Sequence, residues 1–245
     1  MKKVKYKINK RGKVIIYSFL LLIILFMYIC ISGSIFNLEE IVLKGNNKIN
    51  KSDIMKITSI KLGDNIFKYN INNIEDDILK NSYVNYVEVK RMLPNKLIID
   101  LKENTEDVVL KYGNKYVYMQ SDGLILKSQK NNTNKNIPII KGIDIVSCNV
   151  GEFIEIKDEK NLKKILNIID ELKRNNMLRE INYINVSKNL VEINLKEDII
   201  ANLRLDESIS YNIKRLKEIL IDLKSDGINR GNIDLKNKEQ AIYSP

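Results

Sequence analysis

The side chains that could do chemistry in this sequence are mainly carboxylates, because the usual nucleophiles and metal ligands are scarce. The 245 residues include no histidine, which removes Ser-His and Cys-His catalytic pairs and the commonest transition-metal ligand. The two cysteines, Cys30 and Cys148, are too few for a zinc site or a disulfide framework, and Cys30 falls in an apolar segment as a wall residue. No glycine-rich phosphate-binding motif occurs. We therefore expect no metal, nucleotide or other cofactor.

Three carboxylate clusters remain, and paired carboxylates act as acid and base in glycoside hydrolysis. The clusters lie at residues 75–77, 103–107 and 158–159. Each has a structural explanation, since acidic residues are favourable in the first turn of a helix and polar residues mark strand junctions. The chain also lacks tryptophan, an aromatic platform for sugars. We predict no catalytic residues and no small-molecule substrate, which leaves an anchored cell-wall hydrolase as the least favoured alternative.

Positive charge is concentrated at the start of the chain. The sequence has 41 Lys and Arg against 31 Asp and Glu, and seven of the basic residues fall within residues 1–13, where there is no acid. Removing those seven leaves 34 basic against 31 acidic residues. A nearly balanced remainder lacks the basic face that binding to phosphates requires. Nucleic acid is therefore not an expected partner.

An uncharged apolar segment, VIIYSFLLLIILFMYICI, follows this basic tail at residues 14–31. As a helix it spans about 27 Å, enough with its flanks to cross a hydrocarbon core of about 30 Å. The positive-inside rule places residues 1–13 in the cytoplasm, a single transmembrane helix at 14–34 and the rest outside the cytoplasmic membrane. A cleaved signal peptide is the alternative, with Ser32 and Ser34 as its small-residue exit, although its apolar core usually has only about 7–15 residues.

The next segment predicts the order strand, helix, helix, strand, strand. β-Branched and apolar residues at 38–44 end in a Gly-Asn-Asn turn and predict the first strand. Asn50 or Ser52 can cap one short helix, and a second is predicted at 74–79 with the acidic cluster 75–77 in its first turn. Two further apolar segments flank a Leu-Pro-Asn sequence, in which proline and asparagine suit the central positions of a turn.

Three short motifs lie in this segment: FNLEEIVLKGN at 36–46, LGDNIF at 62–67 and VKRMLPNKL at 89–97. In this order, directly after a membrane anchor, they resemble a POTRA domain of the bacterial cell-division family FtsQ/DivIB. The resemblance implies a POTRA domain (β-α-α-β-β) at 35–104, followed by the β domain of this family at 105–245. It also implies a protein that is not an enzyme and that is found at the division septum.

The rest of the chain predicts a mixed β-sheet domain with two amphipathic helices, so the fold class is α+β. Apolar residues recur at helical spacing in residues 158–175 and 208–224, with charged residues between them. An Asp-Gly turn at 120–123 indicates a hairpin. Strands are predicted at 108–112, 115–119, 123–126, 181–186, 190–195 and 199–205.

The end of the chain predicts a terminal strand or hairpin. Its candidate partner-binding residues are Ile233, Asp234, Leu235, Lys236, Ala241 and Tyr243. The resemblance implies a final Ile-Asp-Leu strand followed by a basic residue, and residues 233–236 match it. An exposed edge strand could bind a partner segment by strand addition, with Lys236 meeting an acidic residue and Tyr243 burying ring surface. The alternative is that this strand only completes the sheet.

The resemblance implies two small single-pass coiled-coil division proteins, FtsB/DivIC-like and FtsL-like, as partners outside the membrane. The predicted function is a non-catalytic, membrane-anchored scaffold of the division machinery that supports septum formation. A polypeptide-binding assembly or secretion module that uses its POTRA domain is the alternative. Such modules usually carry several tandem POTRA domains or a membrane barrel.

Overall fold

A computed structural model describes residues 9–206, 208–237 and 240–245, with no description of the side chains of residues 29–32. The basic residues before position 9 and the side chain of Cys30 therefore lie outside the described residues. Helix α1, Lys10–Ser32, begins where the Asn9 side chain accepts a hydrogen bond from the backbone N–H of Arg11 at 2.8 Å. Within the described chain, one segment, Lys10–Tyr28, is long and apolar enough to cross a membrane, with a mean hydropathy of 1.8.

The chain divides into two compact units. The first comprises the described residues up to Lys80 together with Val84–Glu103, and the second comprises Asn81–Tyr83 and Asn104–Pro245. Beyond α1, the first unit contains β1 Glu40–Lys44, α2 Lys51–Thr58, α3 Ile71–Leu79, β2 Val84–Met92 and β3 Lys96–Glu103. Strand β3 lies between the other two, parallel to β1 and antiparallel to β2. This confirms the predicted order of strand, helix, helix, strand and strand.

The two short helices of the first unit begin at asparagine caps. Asn50 caps α2 in a capping box with Asp53, as the sequence predicted. Asn70 caps α3, so this helix begins three residues before the predicted start at Ile74. The predicted position of the acidic cluster 75–77 in the first turn is therefore wrong, because the asparagine cap moves those residues to the middle of the helix.

The second unit contains the remaining strands and two long helices. Helix α4 is Glu159–Arg174 and helix α5 is Ile209–Ser225, close to the predicted bounds. The strands are β4 Val108–Tyr112, β5 Lys115–Met119, β6 Ile125–Gln129, β7 Ile139–Lys141, β8 Ile145–Ser147, β9 Glu155–Ile156, β10 Ile181–Ser187, β11 Leu190–Leu195, β12 Ile199–Arg204, β13 Gly231–Asp234 and β14 Ile242–Ser244.

Nine of these strands, as far as the chain is described, form one mixed sheet in the order β14-β13-β12-β11-β10-β7-β4-β5-β6. The other two, β8 and β9, pair only with each other. The apolar faces of both helices, including Ile169 of α4 and Leu216 of α5, join residues from across the sheet in one core. The amphipathic pattern of each helix therefore places the large sheet and both helices in a single packed body.

Two local features differ from the predicted strands. The strand expected at residues 123–126 begins instead at Ile125, because Gly123 turns the chain at φ +98° and Leu124 forms an isolated bridge with Phe153. The three-residue strand β7 was not predicted. It lies parallel to both β4 and β10 and joins the two halves of the sheet.

Candidate partner-binding edge

The end of the chain folds as a hairpin at one edge of the nine-stranded sheet. Strand β13 runs parallel to β12 from the pair of Ile199 with Gly231 to the pair of Asn202 with Asp234. Strand β14 then returns antiparallel to β13. Within the described residues no strand pairs with the outer side of β14, so β14 is the edge and β13 is interior.

Buried and outward-facing side chains alternate along the last segment, and this decides which of them a partner could contact. Ile233 and Leu235 are 0% exposed and belong to the core of the second unit. The backbone N–H of Leu235 also donates to the carbonyl oxygen of Asn202 at 2.8 Å, which extends the β12–β13 contact. These two predicted residues therefore support the edge from the inside and present no side chain to a partner.

Asp234 and Lys236 lie on the other face of the same segment and pair with each other. The Lys236 ammonium is 2.8 Å from an Asp234 carboxylate oxygen, and the Lys236 backbone N–H donates to that carboxylate at 2.9 Å. Burial acts to raise the pKa of Asp234, but the two hydrogen bonds and the charge of Lys236 outweigh it and hold the pKa below its usual value. In the unbound chain Lys236 thus has an acidic partner two residues earlier, at the end of β13.

Tyr243 is the side chain that holds β14 in place. Its hydroxyl donates to the carbonyl oxygen of Arg230 at 2.8 Å, and its ring lies over Gly231. A Cβ at Gly231 would come within 2.6 Å of that ring and 2.7 Å of the carbonyl oxygen of Ser244. Tyr243 and Ala241 are partly buried against the core. Close packing between Gly231 and Tyr243 therefore sets the position of the edge strand.

Ile242 is an exposed apolar residue that sequence reasoning missed. It lies in the middle of this short terminal segment, between Ala241 and Tyr243, and is 57% exposed. The signal that could have found it is the alternation itself, because inward-facing Ala241 and Tyr243 leave Ile242 on the opposite face. The structure thus brings the six predicted residues into one hairpin, but the outward-facing apolar side chain is Ile242.

The carboxylates at 103–107, and Asp158 of the third cluster, make structural contacts. Glu103 accepts hydrogen bonds from the backbone N–H groups of residues 47–49 at 2.8–3.0 Å. Burial alone would raise its pKa, but these donors lower it below the usual value. Asp107 accepts from the Lys173 ammonium at 2.7 Å and from the Ser121 backbone N–H at 2.8 Å. The side chain of Asp158 caps α4.

Glu106 accepts a hydrogen bond from the Tyr83 hydroxyl at 2.5 Å and lies 3.0 Å from the Lys127 ammonium. Burial first, and then the bond to Glu106, raise the pKa of Tyr83. Across the described residues no group of three or more Cys, Asp or Glu is placed to hold a metal ion. The terminal hairpin, in contrast, combines an open strand edge with an exposed apolar side chain.

Comparison with known proteins gives a consistent family. Residues 36–104 match the model of the POTRA domain, FtsQ-type. Cell division protein DivIB of Clostridium tetani is 30% identical over 227 residues, covering 91% of this chain and 84% of that protein. Cell division protein DivIB of Clostridium botulinum (strain Hall) is 33% identical over 174 residues, covering 71% of this chain and 67% of that protein.

A solved structure of the major extracytoplasmic domain of DivIB from Geobacillus stearothermophilus aligns with a TM-score of 0.34 and 11% identity, over 51% of this chain and 98% of that one. A likeness at that score is too weak to support an argument. The family assignment rests on the two DivIB relatives, whose alignments cover most of both chains, and on the POTRA match, which agrees with them. This chain belongs to the DivIB/FtsQ family of cell division proteins.

Proposed function

We propose that this protein is a non-catalytic, single-pass scaffold of the division machinery that binds other division proteins outside the cytoplasmic membrane. Helix α1 anchors it with residues 1–13 in the cytoplasm. The proposed divisions are a transmembrane helix at 14–34, a POTRA domain at 35–104 and a partner-binding β domain at 105–245. This arrangement supports septum formation by holding partners at the membrane surface, where a common anchor raises their effective concentration.

The open edge at β14 carries the proposal. An edge strand presents unpaired backbone N–H and C=O groups, which a partner segment can pair by adding a strand. Strand β14 has no charged residue, and Ile242 adds exposed apolar surface beside those groups. The partners we propose are small single-pass coiled-coil division proteins of the FtsB/DivIC and FtsL kinds. The binding residues we propose are Ile233, Asp234, Leu235, Lys236, Ala241 and Tyr243, together with Ile242. Of these, Ile233 and Leu235 support the edge from the core and do not contact the partner with their side chains.

The test is the affinity of the full chain, reconstituted in nanodiscs, for the two coiled-coil proteins of its own organism. Ile242→Glu places a charge at the proposed contact without touching the core, and we expect affinity to fall at least about tenfold, which corresponds to about 1.4 kcal/mol. Removing all residues after Lys236 deletes β14 and should abolish binding. Unchanged affinity in both variants would remove the site assignment.

Ser128→Glu is the matched control, because Ser128 is an exposed residue of β6, the strand at the opposite edge of the same sheet. It introduces the same charge on an edge strand and should leave affinity within about twofold, since surface changes away from a contact have small effects. Equal losses from both substitutions would show a nonspecific charge effect. A fluorescent fusion that gathers at midcell distinguishes the scaffold from a general polypeptide-binding assembly module.

A further inference from the structure

Four apolar side chains are exposed at one end of the sheet in the first unit. Ile35, Phe67, Met92 and Leu93 are between 45% and 61% exposed. We call this group the apolar tip. Single exposed apolar residues are normal on a protein surface, whereas several large ones at the same end of a unit favour a contact there.

The strand register brings two of the four beside the beginning of β1. The parallel pairing of β1 with β3 begins at Glu40 and Lys96, and β2 ends at Met92, opposite the same Lys96. The backbone N–H of Glu39 donates to the carbonyl oxygen of Asn95 at 2.9 Å. The loop that carries Leu93 therefore lies at the end of the sheet where the chain enters from α1.

Phe67 is held at the same end by contacts with the entering chain. Its ring meets Phe36 edge to face, with 5.3 Å between centroids, and Asn37 bridges Asn65. The Arg91 guanidinium lies 5.7 Å from the centre of the Phe67 ring and donates from Nε to the carbonyl oxygen of Ile66 at 3.2 Å. These contacts fix Phe67 in an outward position, so its exposure is built into the fold.

The covalent connection to α1 determines what the tip can reach. Ile35 follows Ser32, the last residue of α1, by only three positions. Three residues span at most about 11 Å, comparable with the headgroup layer on each side of the hydrocarbon core, about 5–8 Å thick. If α1 crosses the membrane, the tip is tethered at the bilayer surface, and even weak affinity suffices at that effective concentration.

Charge does not favour a purely electrostatic contact. The Lys68 ammonium lies 2.9 Å from Asp64, and the Lys96 ammonium lies 2.6 Å from Glu40. These lysines near the tip are therefore neutralised within the unit. The aromatic and aliphatic side chains remain as the main contributors to any affinity for the interface.

We propose that the apolar tip inserts into the interfacial layer of the phospholipid bilayer that holds α1, and thereby orients the first unit on the membrane. The proposal depends on α1 spanning the membrane. It does not depend on partner binding at β14. A fixed orientation reduces the freedom that the outside part of the chain loses when a partner binds, which favours assembly at the membrane surface.

The absence of tryptophan from the chain allows a direct test. Leu93→Trp in the full chain, reconstituted in phosphatidylcholine nanodiscs whose scaffold protein also lacks tryptophan, adds one fluorophore at an exposed loop position. We expect blue-shifted emission and a loss of about half of its intensity when the lipid acyl chains carry bromine, because interfacial side chains sit about 5–10 Å into the headgroup and acyl boundary. Met92→Trp is a second reporter and should behave alike.

Tyr86→Trp is the matched control. Tyr86 is 53% exposed and pairs with Lys102, near the opposite end of the sheet. It should emit as a solvent-exposed indole and respond to aqueous iodide but not to brominated lipid. Identical behaviour of the Leu93→Trp and Tyr86→Trp chains would overturn the proposal.

Three other outcomes also contradict it. Blue-shifted emission without quenching by brominated lipid would show that protein, such as a second copy, covers the tip. Quenching seen only with anionic lipid and lost at high salt would replace apolar insertion with charge attraction. A chain that does not remain with the nanodiscs would overturn the membrane anchor itself, a result distinguishable from loss of the tip contact alone.

Discussion

The two edges of the nine-stranded sheet protect their backbone groups in different ways. Around β6, the N–H of Ile125 donates to the carbonyl oxygen of Glu152 and the carbonyl oxygen of Ile125 accepts from Gly151, both at 2.9 Å. The Ser82 hydroxyl donates to the carbonyl oxygen of Leu126 at 2.7 Å. Other segments of the unit therefore already occupy the backbone groups at the beginning of β6.

The edge at β14 has no comparable cover among the described residues. It relies on being only three residues long, which is one way that natural sheets limit unwanted pairing. Its neighbour β13 is paired on both sides, with β12 and with β14, and Ile242 of β14 is exposed. The beginning of one edge strand is covered by other segments, whereas the other edge strand is short and has no charged residue. The proposed strand addition at β14 is consistent with this difference.

The largest expected effect tests whether the terminal hairpin turns Ile233 into the core and Ile242 away from it. Ile233→Ala removes a fully buried side chain from the core and should lower the free energy of unfolding by about 2–5 kcal/mol. The matched change is Ile242→Ala, at the first residue of β14. It should lower the free energy of unfolding by no more than about 0.5 kcal/mol because that side chain is exposed. Urea denaturation of both variants makes the comparison. Equal costs would contradict the burial of Ile233 in the core and the exposure of Ile242.

The next effect tests how β14 is held. Gly231→Ala strains a backbone at φ +130° and drives a methyl group into the Tyr243 ring, so we expect a cost of about 2–3 kcal/mol and faster amide exchange in β14. Gly227→Ala is the control, since Gly227 also has a positive φ, +71°, but a Cβ there meets nothing within 4 Å. It should cost about 1 kcal/mol. Undisturbed exchange in β14 of the Gly231 variant would show that Tyr243 does not position the edge.

A smaller effect tests the closed edge. Ser82→Ala removes the hydroxyl that bonds the Leu126 carbonyl and should cost about 1 kcal/mol of unfolding free energy. Partner affinity should not change, because the proposed contact is at β14. Thermal unfolding measures the change in stability, and the nanodisc binding assay measures the change in partner affinity. A loss of affinity without loss of stability would move the partner site to the β6 edge.

Local sequence signals predicted most elements because the determinants are themselves local. Asn50 caps α2 through its own side chain, and the helical spacing in α4 and α5 repeats within each segment. The three-residue β7 could not be found in this way, because its place between β4 and β10 comes from pairing with residues far along the chain. The same dependence on pairing between distant segments limited the prediction of the candidate site.

Alternation at Ile233 and Leu235 correctly indicated a strand, but a strand pattern does not say which strand is outermost. That depends on the parallel pairing of β13 with β12 and on the return of β14, both of which form across connections between elements. Ile242 was therefore overlooked as the exposed apolar residue, while two buried residues were included as contacts.

The smallest expected effect concerns the exposed pair of Lys236 with Asp234. Because the pKa of Asp234 is lowered in the folded chain, its stabilising contribution is present above its usual value of 3.8 and is lost as pH falls through the lowered pKa. Lys236→Met should reduce stability at neutral pH by no more than about 0.5 kcal/mol, since exposed ion pairs contribute little. It should also flatten the pH dependence of unfolding below pH 3.8, which urea titrations at several pH values can measure.

Partner binding by the same variant sharpens the contrast between the edges. If Lys236 exchanges Asp234 for an acidic residue of the partner, Lys236→Met lowers affinity and its salt dependence, whereas Lys236→Arg retains both. Unchanged affinity with a flattened pH profile would restrict Lys236 to its contact with Asp234. The edge would then bind through backbone pairing and the apolar contacts of Ala241, Ile242 and Tyr243, because the only charged side chains of the proposed site are Asp234 and Lys236 and these would stay paired with each other.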